Sequence, residues 1–500
     1  MTTTQTPATV ERYDLAPGLE ISRALTGLWQ VADIERKSGP IDPAQGAGYL
    51  QAYVDAGFDT FDMADHYGTS EIITGELLKR HASGGDAGRR PLAFTKWCPA
   101  PAPMTAETVR AGVRERLDRL GVEAVDLLQF HWWSFEHPGW LDALHELAAL
   151  REEGLIREIG VTNFDAAHLD LAIADGVPLR TNQVSFSLID RRAAGPLAET
   201  CTRSPVRLLA YGTLCGGFLS ERWLGVPEPQ EIADWSKMKY KRFIDAAGGW
   251  AAYQAVLSAA AEIARRHGVS ISNVATRWVL QQAGVAGVII GARLGENMHA
   301  ADNARLFSYH LDTADLERLD EAFAGTRPIP GDCGDEYRKP PFLTATGDLS
   351  DHLDRMPLAH TATEVPHRPG ASRVLSGSKW EDIAGYCRAQ RIGDRVIVSG
   401  TTATAGADRV VAPGDAGAQT VFVLDKIIAA LAALGARPED VVRTRIYVVD
   451  EADALAVSRA HGRYFGEIKP VNTLVAVARL IGDYRVEIEA EAIVGSERKG

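Results

Sequence analysis

Phe61-Asp62-Met63-Ala64-Asp65-His66-Tyr67-Gly68 ends a short apolar run in an acid, an imidazole and a phenol. Two later runs are built the same way. Leu92-Ala93-Phe94-Thr95-Lys96-Trp97 carries an ammonium near its end, and Val125-Asp126-Leu127-Leu128-Gln129-Phe130-His131 an imidazole. In a barrel of parallel strands the C-terminal strand ends converge on one face, and that face carries the chemistry. Asp62, Tyr67, Lys96 and His131 gathered there suit proton transfer to a carbonyl oxygen.

Outward from these runs, strand and helix patterns alternate from about residue 20 to 325. Strands are predicted at 24–29, 58–62, 92–96, 126–131, 157–161, 181–185, 207–211 and 287–291. Helix-period stretches lie between them, for example 105–120, 140–153 and 251–267, the first opened by a cap in Met104-Thr105-Ala106-Glu107. Eight strands in such alternation define an α/β fold of the (β/α)8, or TIM-barrel, type. A doubly wound sheet would want GxGxxG after its first strand, and 24–30 offers only Gly27. The stretch 219–249 is long for one βα connection and carries Trp223, Trp235, Lys237, Lys239, Lys241 and Arg242. It reads either as a functional lid or as a solvated charge run.

Past residue 320 the pattern decays into proline-rich sequence, and 351–371 reads as a linker. The predicted domains are thus 1–350, the barrel, and 372–500, a smaller unit. In the latter, 396–400, 442–449, 474–479 and 486–492 look like strands, and 419–434 and 451–464 like helices. Such a pattern without strict alternation suggests a small α+β domain.

A length of 500 residues exceeds one ordinary core. The net charge of -13 argues against nucleic acid or an anionic membrane as partner, though an anionic cofactor needs only a local basic site. The five cysteines form no CxxC pair, so neither a disulfide framework nor a metal site is expected. The start of the chain lacks an apolar leader, and no apolar run approaches the roughly 18 residues that span a bilayer. A cytoplasmic location is expected.

A carbonyl group takes hydride at carbon and a proton at oxygen, and the donor's pKa should lie near the working pH. A tyrosine starts near 10. A neighbouring ammonium favours its phenolate, and a carboxylate can hold that ammonium in place. Tyr67 meets the need as acid, Lys96 as its tuner and Asp62 as the lysine's partner. His131 is expected to donate a hydrogen bond that orients the substrate oxygen. The plainer reading makes Asp62–Lys96 a buried ion pair and Tyr67 a rim aromatic. The arrival of all four at strand ends weighs against it.

On these residues, about 10–325 resembles the aldo-keto reductases, whose matching Asp, Tyr, Lys and His carry these roles. The resemblance implies more. Gly160-Val161-Thr162-Asn163-Phe164 is similar to the segment that holds the nicotinamide carboxamide, through Thr162 and Asn163, with Gln183 as a second amide. Tyr211 would stack on the nicotinamide. Gly212, Thr213, Leu214 and Gly216 would form a loop close to the pyrophosphate, with Gly27 and Trp29 from the first strand. Gly291 and Arg293 resemble the adenosine-phosphate clamp. A guanidinium there suits a 2′-phosphate and favours NADPH over NADH. Asn297 would meet adenine, or Asp302-Asn303 if the loop is longer. His66, Trp97, Trp132 and Phe186, with Trp29, would line an aromatic mouth for a flat, apolar or cyclic substrate.

The second unit, about 372–497, resembles the RidA (YjgF-like) imine deaminases through Gly385-Tyr386, Val398-Ser399-Gly400-Thr401, Lys469-Pro470 and Val486-Glu487-Ile488-Glu489-Ala490. Deaminating members carry an Arg two residues after that proline, which grips the substrate carboxylate. Here the position is Asn472, which cannot supply a bidentate, charge-assisted grip. Tyr386 and Glu487 match residues that line the family's site. The resemblance therefore implies a trimerisation module, a ligand-binding unit or altered imine chemistry. Together the two parts imply an NADPH-dependent reductase of a small carbonyl or imine compound, assembled as a homo-oligomer such as a trimer. The alternative is a sensor or scaffold that holds NADP(H) with little turnover.

Overall fold

The computed structural model describes residues 9–31, 41–84, 88–296, 298–338 and 356–495. After a hairpin of β1 (Arg12–Ala16) and β2 (Leu19–Ser22) come eight barrel strands. They are β3 (Ala24–Gly27), β4 (Thr60–Asp62), β5 (Leu92–Trp97), β6 (Val125–His131), β7 (Ile156–Thr162), β8 (Leu179–Ser185), β9 (Arg207–Tyr211) and β10 (Val285–Gly291). All pair in parallel, and the barrel closes in the order β10-β3-β4-β5-β6-β7-β8-β9. Each predicted barrel strand is present. The first stops at Gly27, and Trp29 opens the 3-10 turn Trp29–Val31.

Helices surround the barrel and bury one face each. The helix Ala106–Leu120 shows how the sequence sets its limits. Thr105 caps it by accepting the Thr108 N–H, Val109, Val113, Leu117 and Leu120 face inward at helical spacing, and Gly121 stops it at φ +63°. The β1–β2 hairpin plugs the barrel's N-terminal end, where Leu15, Leu19 and Ile21 pack on Leu25, Phe94, Leu127, Leu209 and Ile289. The opposite end is left as the open face. The stretch 219–249 is not a bare loop. It holds the 3-10 turn Glu221–Trp223 and the helix Trp235–Ala246, whose Tyr240, Phe243 and Ile244 are buried.

The second domain is a seven-stranded sheet ordered β11-β12-β13-β14-β19-β17-β18. Its strands are β11 (Ala362–Glu364), β12 (Ala371–Val374), β13 (Ala389–Ile392), β14 (Arg395–Thr402), β17 (Val441–Val448), β18 (Val471–Ala476) and β19 (Val486–Ile493). A separate two-stranded pair joins β15 (Thr404–Ala405) and β16 (Arg409–Val410). The chain is already in the sheet at Ala362, which pairs with Val374. The C-terminal half of the expected linker is therefore part of this domain; β11 is too short and too exposed to show alternation. Residues 351–355 lie outside the described residues.

The helices Ala416–Ala433 and Ala454–Phe465 cover one face of the sheet. The first corrects the expectation that no run is long and apolar enough for a bilayer. It has 18 residues at mean hydropathy 1.5, but 78% of it is buried within the protein. It is wedged between the sheet and the barrel helix Ala166–Ala174, which explains why it is apolar on more than one side.

Candidate active site

The open face of the barrel holds a cavity of about 860 Å3. One of its walls comes from the three strand ends singled out above. Lys96 Nζ donates to Asp62 Oδ2 at 2.7 Å and to the Met63 carbonyl at 3.1 Å. Asp62 Oδ1 accepts from Gln129 Nε2 at 3.0 Å and from Gln183 Nε2 at 2.7 Å, and Gln183 also donates to Gln129 Oε1 at 2.8 Å. β4, β5, β6 and β8 are thus tied by one buried polar network whose members restrain each other. The Lys96 ammonium lies 5.1 Å from the centre of the Tyr67 ring. Tyr67 is half-buried and stands edge-on to Trp29, 4.9 Å between centroids.

His131 is buried, and that burial, with Arg338 and His66 nearby, pushes its pKa well below the usual imidazole value. The ring is neutral at pH 7. Its Nδ1 sits 3.3 Å from the Thr162 carbonyl oxygen, which can only accept. A neutral ring donating there presents a lone pair at Nε2 to the cavity. The expected donor role of His131 belongs to the other tautomer, with the proton on Nε2. Nε2 is buried without a partner, as are Thr162 Oγ1 and Thr213 Oγ1. All three residues line the cavity, and buried polar atoms of this kind call for a polar ligand.

The expected cofactor residues from Gly27 and Trp29 through Leu214 to Gly291 and Arg293 border this cavity, whereas Asp302 and Asn303, the alternative adenine contact, do not. Asn297 lies outside the described residues. Asn163 adopts the left-handed φ of 58°, accepts the Tyr211 O–H at 2.9 Å, and so keeps its amide N–H groups for another partner. The donors of Gln183 are spent on Asp62 and Gln129, which leaves only its oxygen. Gly212 and Gly216 have φ of +71° and +64°, and a Cβ on either would strike the Tyr240 ring. Their glycines serve the close seat of the helix Trp235–Ala246 as much as any ligand. Asp234 caps that helix and reaches both Lys237, at 2.9 Å, and Arg293, at 3.4 Å. Lys237 and Lys239 border the cavity; Lys241 pairs instead with Glu228 and Asp245.

Of the expected aromatic mouth, His66 and Trp29 border the cavity, whereas Trp97, Trp132 and Phe186 do not. Side chains alternate along a strand. Lys96 and His131 point inward, so Trp97 and Trp132, next in the chain, point outward. Trp97 packs on the helix Ala106–Leu120 at Gly112, Trp132 on Phe130, and Phe186 on Trp278. The aromatic walls come instead from Trp133, whose ring is 4.2 Å from that of His131, and from Tyr337, 5.6 Å from it. Sequence reading missed both, and Gln129 as well, although Gln129 lies two residues before His131 and therefore on its side of the strand. We expect Trp132→Ala, measured by chemical denaturation, to cost about 3–5 kcal/mol as a core truncation. A loss under about 1 kcal/mol would put the ring back at a cavity wall.

The second domain does not gather its expected pocket within one chain. Glu487 pairs with Tyr447 in β17 and Asn472 with Thr444, three residues away along that strand. The two therefore sit on opposite faces of the sheet. Glu487 lies on the helix-free face; burial and the neighbouring Glu489 raise its pKa. A Cβ at Gly400 would lie 2.1 Å from its Oε1, so that glycine makes room for the carboxylate. Tyr386 is half-buried, with the Arg388 guanidinium 5.8 Å from its ring. Asn472 is exposed and within 3.4 Å of His461.

A parallel (β/α)8 barrel whose open face assembles an acid, a phenol, an ammonium and an imidazole defines an oxidoreductase scaffold. Residues 25–324 match the aldo/keto reductase family, and the chain belongs to it. Residues 377–494 match the family described as endoribonuclease L-PSP, which is the RidA family, so the chain is a fusion of the two. An uncharacterised protein of Streptomyces coelicolor is 43% identical over 126 residues, 25% of this chain and 92% of that protein. Flagellar radial spoke protein 5 of Chlamydomonas reinhardtii is 32% identical over 213 residues, 36% of this chain; the match spans only 40% of that protein's length. A glycerol dehydrogenase from Gluconobacter oxydans shares the fold at TM-score 0.53 and 24% identity, over 66% of this chain and 98% of that one.

Proposed function

We propose that the barrel is an NADPH-dependent reductase of a small carbonyl or imine compound. The observation that carries this reading is the meeting of Asp62, Lys96, Tyr67 and His131 at one wall of a single cavity. Buried polar atoms without partners at His131, Thr162 and Thr213 suit a polar dinucleotide there. When bound, it supplies the hydride. Thr162 and the free amide N–H groups of Asn163 would hold its carboxamide from one side and the Gln183 oxygen from the other, with Tyr211 beneath the ring.

Tyr67 gives its proton to the substrate oxygen. The adjacent ammonium of Lys96 favours the phenolate that remains, and Asp62, itself held by Gln129 and Gln183, keeps Lys96 in place. The O–H that forms on the product is then accepted by Nε2 of His131. Trp29, Trp133 and Tyr337 keep water from the reacting centre and favour a flat, apolar substrate.

The test is optical measurement of NADPH consumption against aldehydes, ketones and cyclic imines. Tight cofactor binding with no turnover on any of them would favour the sensor or scaffold alternative. Arg293 is proposed to bind the 2′-phosphate once it exchanges its contact with Asp234. Arg293→Ala should then raise the KM for NADPH roughly 10- to 100-fold, the worth of one charged hydrogen bond, and leave the KM for NADH nearly unchanged. Equal effects on both would refute this role. For the second domain we propose oligomerisation or ligand binding rather than deamination. Its support is that Asn472 replaces the arginine and lies across the sheet from Glu487; sedimentation of the full chain as a monomer would remove the oligomer reading.

A further inference from the structure

The turn that presents Thr162 and Asn163 to the cavity is strained and needs support. Asn163 is left-handed at φ 58°, a conformation that costs a non-glycine residue free energy and persists only where its surroundings enforce it. Inside the barrel the Asn163 N–H donates to the Gln183 carbonyl at 2.8 Å. The Asn182 side chain both donates to the Phe164 carbonyl, at 2.7 Å, and accepts the Phe164 N–H, at 3.3 Å. The next residue, Asp165, caps the helix Ala166–Ala174 and is buried.

Asp165 accepts the N–H of His168 in its own helix at 3.0 Å, and its other charged neighbour comes from the second domain. Arg463, on the helix Ala454–Phe465, places one guanidinium nitrogen 2.8 Å from Asp165 Oδ1 and another 2.7 Å from Asp332 Oδ2. Asp332 begins the short segment that supplies Tyr337 to the cavity wall and Arg338, whose guanidinium donates to the Asn163 carbonyl at 2.6 Å. One side chain of the second domain therefore ties two barrel loops that both shape the cavity. A second link runs beside it. The His168 ring bonds Asp165 Oδ2 at 2.7 Å through Nδ1 and Asp425 Oδ2 at 3.0 Å through Nε2. Asp425 belongs to the second domain and is held in turn by the Tyr464 hydroxyl at 2.7 Å. The Phe135 ring is stacked on His168 at 3.6 Å and carries the Arg338 guanidinium at 4.3 Å.

We propose that Arg463 and Asp425 of the RidA-like domain are positioning residues for the reductase: by fixing Asp165, Asp332 and His168 they hold the Thr162–Asn163 turn in the shape that receives the cofactor's carboxamide. This rests on the assignment of that turn to the cofactor in the proposed reading above. The electrostatics agree. Burial by itself would raise the Asp165 pKa, but His168 and Arg463 outweigh it and hold the carboxyl well below its usual range. Part of what keeps that carboxylate charged, the Arg463 guanidinium, is supplied by the fused neighbour.

The experiment uses the full chain. NADPH affinity is measured by calorimetric titration, beside KM and kcat, for Arg463→Met, Arg463→Lys and Asp425→Asn. Arg463→Met should weaken NADPH binding roughly 2- to 30-fold, the span of couplings carried through such networks. Its kcat at saturation should stay within about twofold, and Arg463→Lys should recover part of the loss. Arg409→Met is the control. It breaks the ion pair with Asp175 at the far end of the same barrel helix, 2.6 Å apart, and should leave NADPH affinity unchanged. Unaltered affinity in folded Arg463→Met, or an equal loss in Arg409→Met, would overturn the proposal. If Arg463→Met does not fold, Asp425→Asn, which keeps shape and removes charge, is read by the same criteria. Absence of NADPH binding by the unaltered chain is a different failure, that of the cofactor reading itself.

Discussion

Tyr67→Phe is expected to lower turnover about 10²- to 10⁴-fold, the range that one positioned proton donor contributes, with NADPH affinity unchanged. The substitution removes a single oxygen and keeps the ring. The edge-on contacts of that ring with Trp29 and His66, at 4.9 and 4.8 Å, should persist, so folding and the shape of the mouth are spared. The proton given to the substrate oxygen is lost with the Tyr67 oxygen. His131 cannot replace it: burial disfavours the imidazolium, and the proton of the neutral ring is engaged with the Thr162 carbonyl. The comparison is made by steady-state kinetics on the best substrate and by titration with NADPH. Turnover within threefold of the unaltered protein would remove Tyr67 from the chemistry and leave it a wall of the cavity.

The reach of the sequence is clearest at these same strand ends. A polar residue closing an apolar run on a barrel strand has few places to go except the open face, and Asp62, Lys96 and His131 go there. What chain order conceals is the side of the strand. Trp97 and Trp132 look like part of the site because they adjoin Lys96 and His131, yet alternation turns them into the core for that very reason. Alternation applied consistently would have found Gln129. Tyr337 could not be found this way: it arrives from an irregular segment beyond the last barrel helix, with no period to read. The hairpin β1–β2 and the exposed strand β11 are too short to reveal themselves. Contacts between domains, such as His168 with Asp425, pair residues far apart in the chain whose partners no local pattern names.

Lys96→Met should act on stability as well as on turnover, and the two effects can be separated. The Lys96 and Asp62 side chains are 4% and 5% exposed. Removing one member of such a pair leaves an uncompensated buried charge and costs about 3–5 kcal/mol. Gln129 and Gln183 still donate to Asp62, which places the expected loss at the lower end of that range. Adding Asp62→Asn removes the stranded charge. The double variant should regain most of the stability, because a buried pair is worth little against a neutral replacement of similar volume. It should regain none of the turnover, since Tyr67 still lacks the ammonium that favours its phenolate. Denaturant unfolding, followed with a probe in each domain because two domains need not unfold together, measures the first effect, and steady-state kinetics the second. A double variant as active as the unaltered protein would show the pair to be structural alone; a Lys96→Met protein as stable as the unaltered one would show that Asp62 is not a buried charge waiting for a partner.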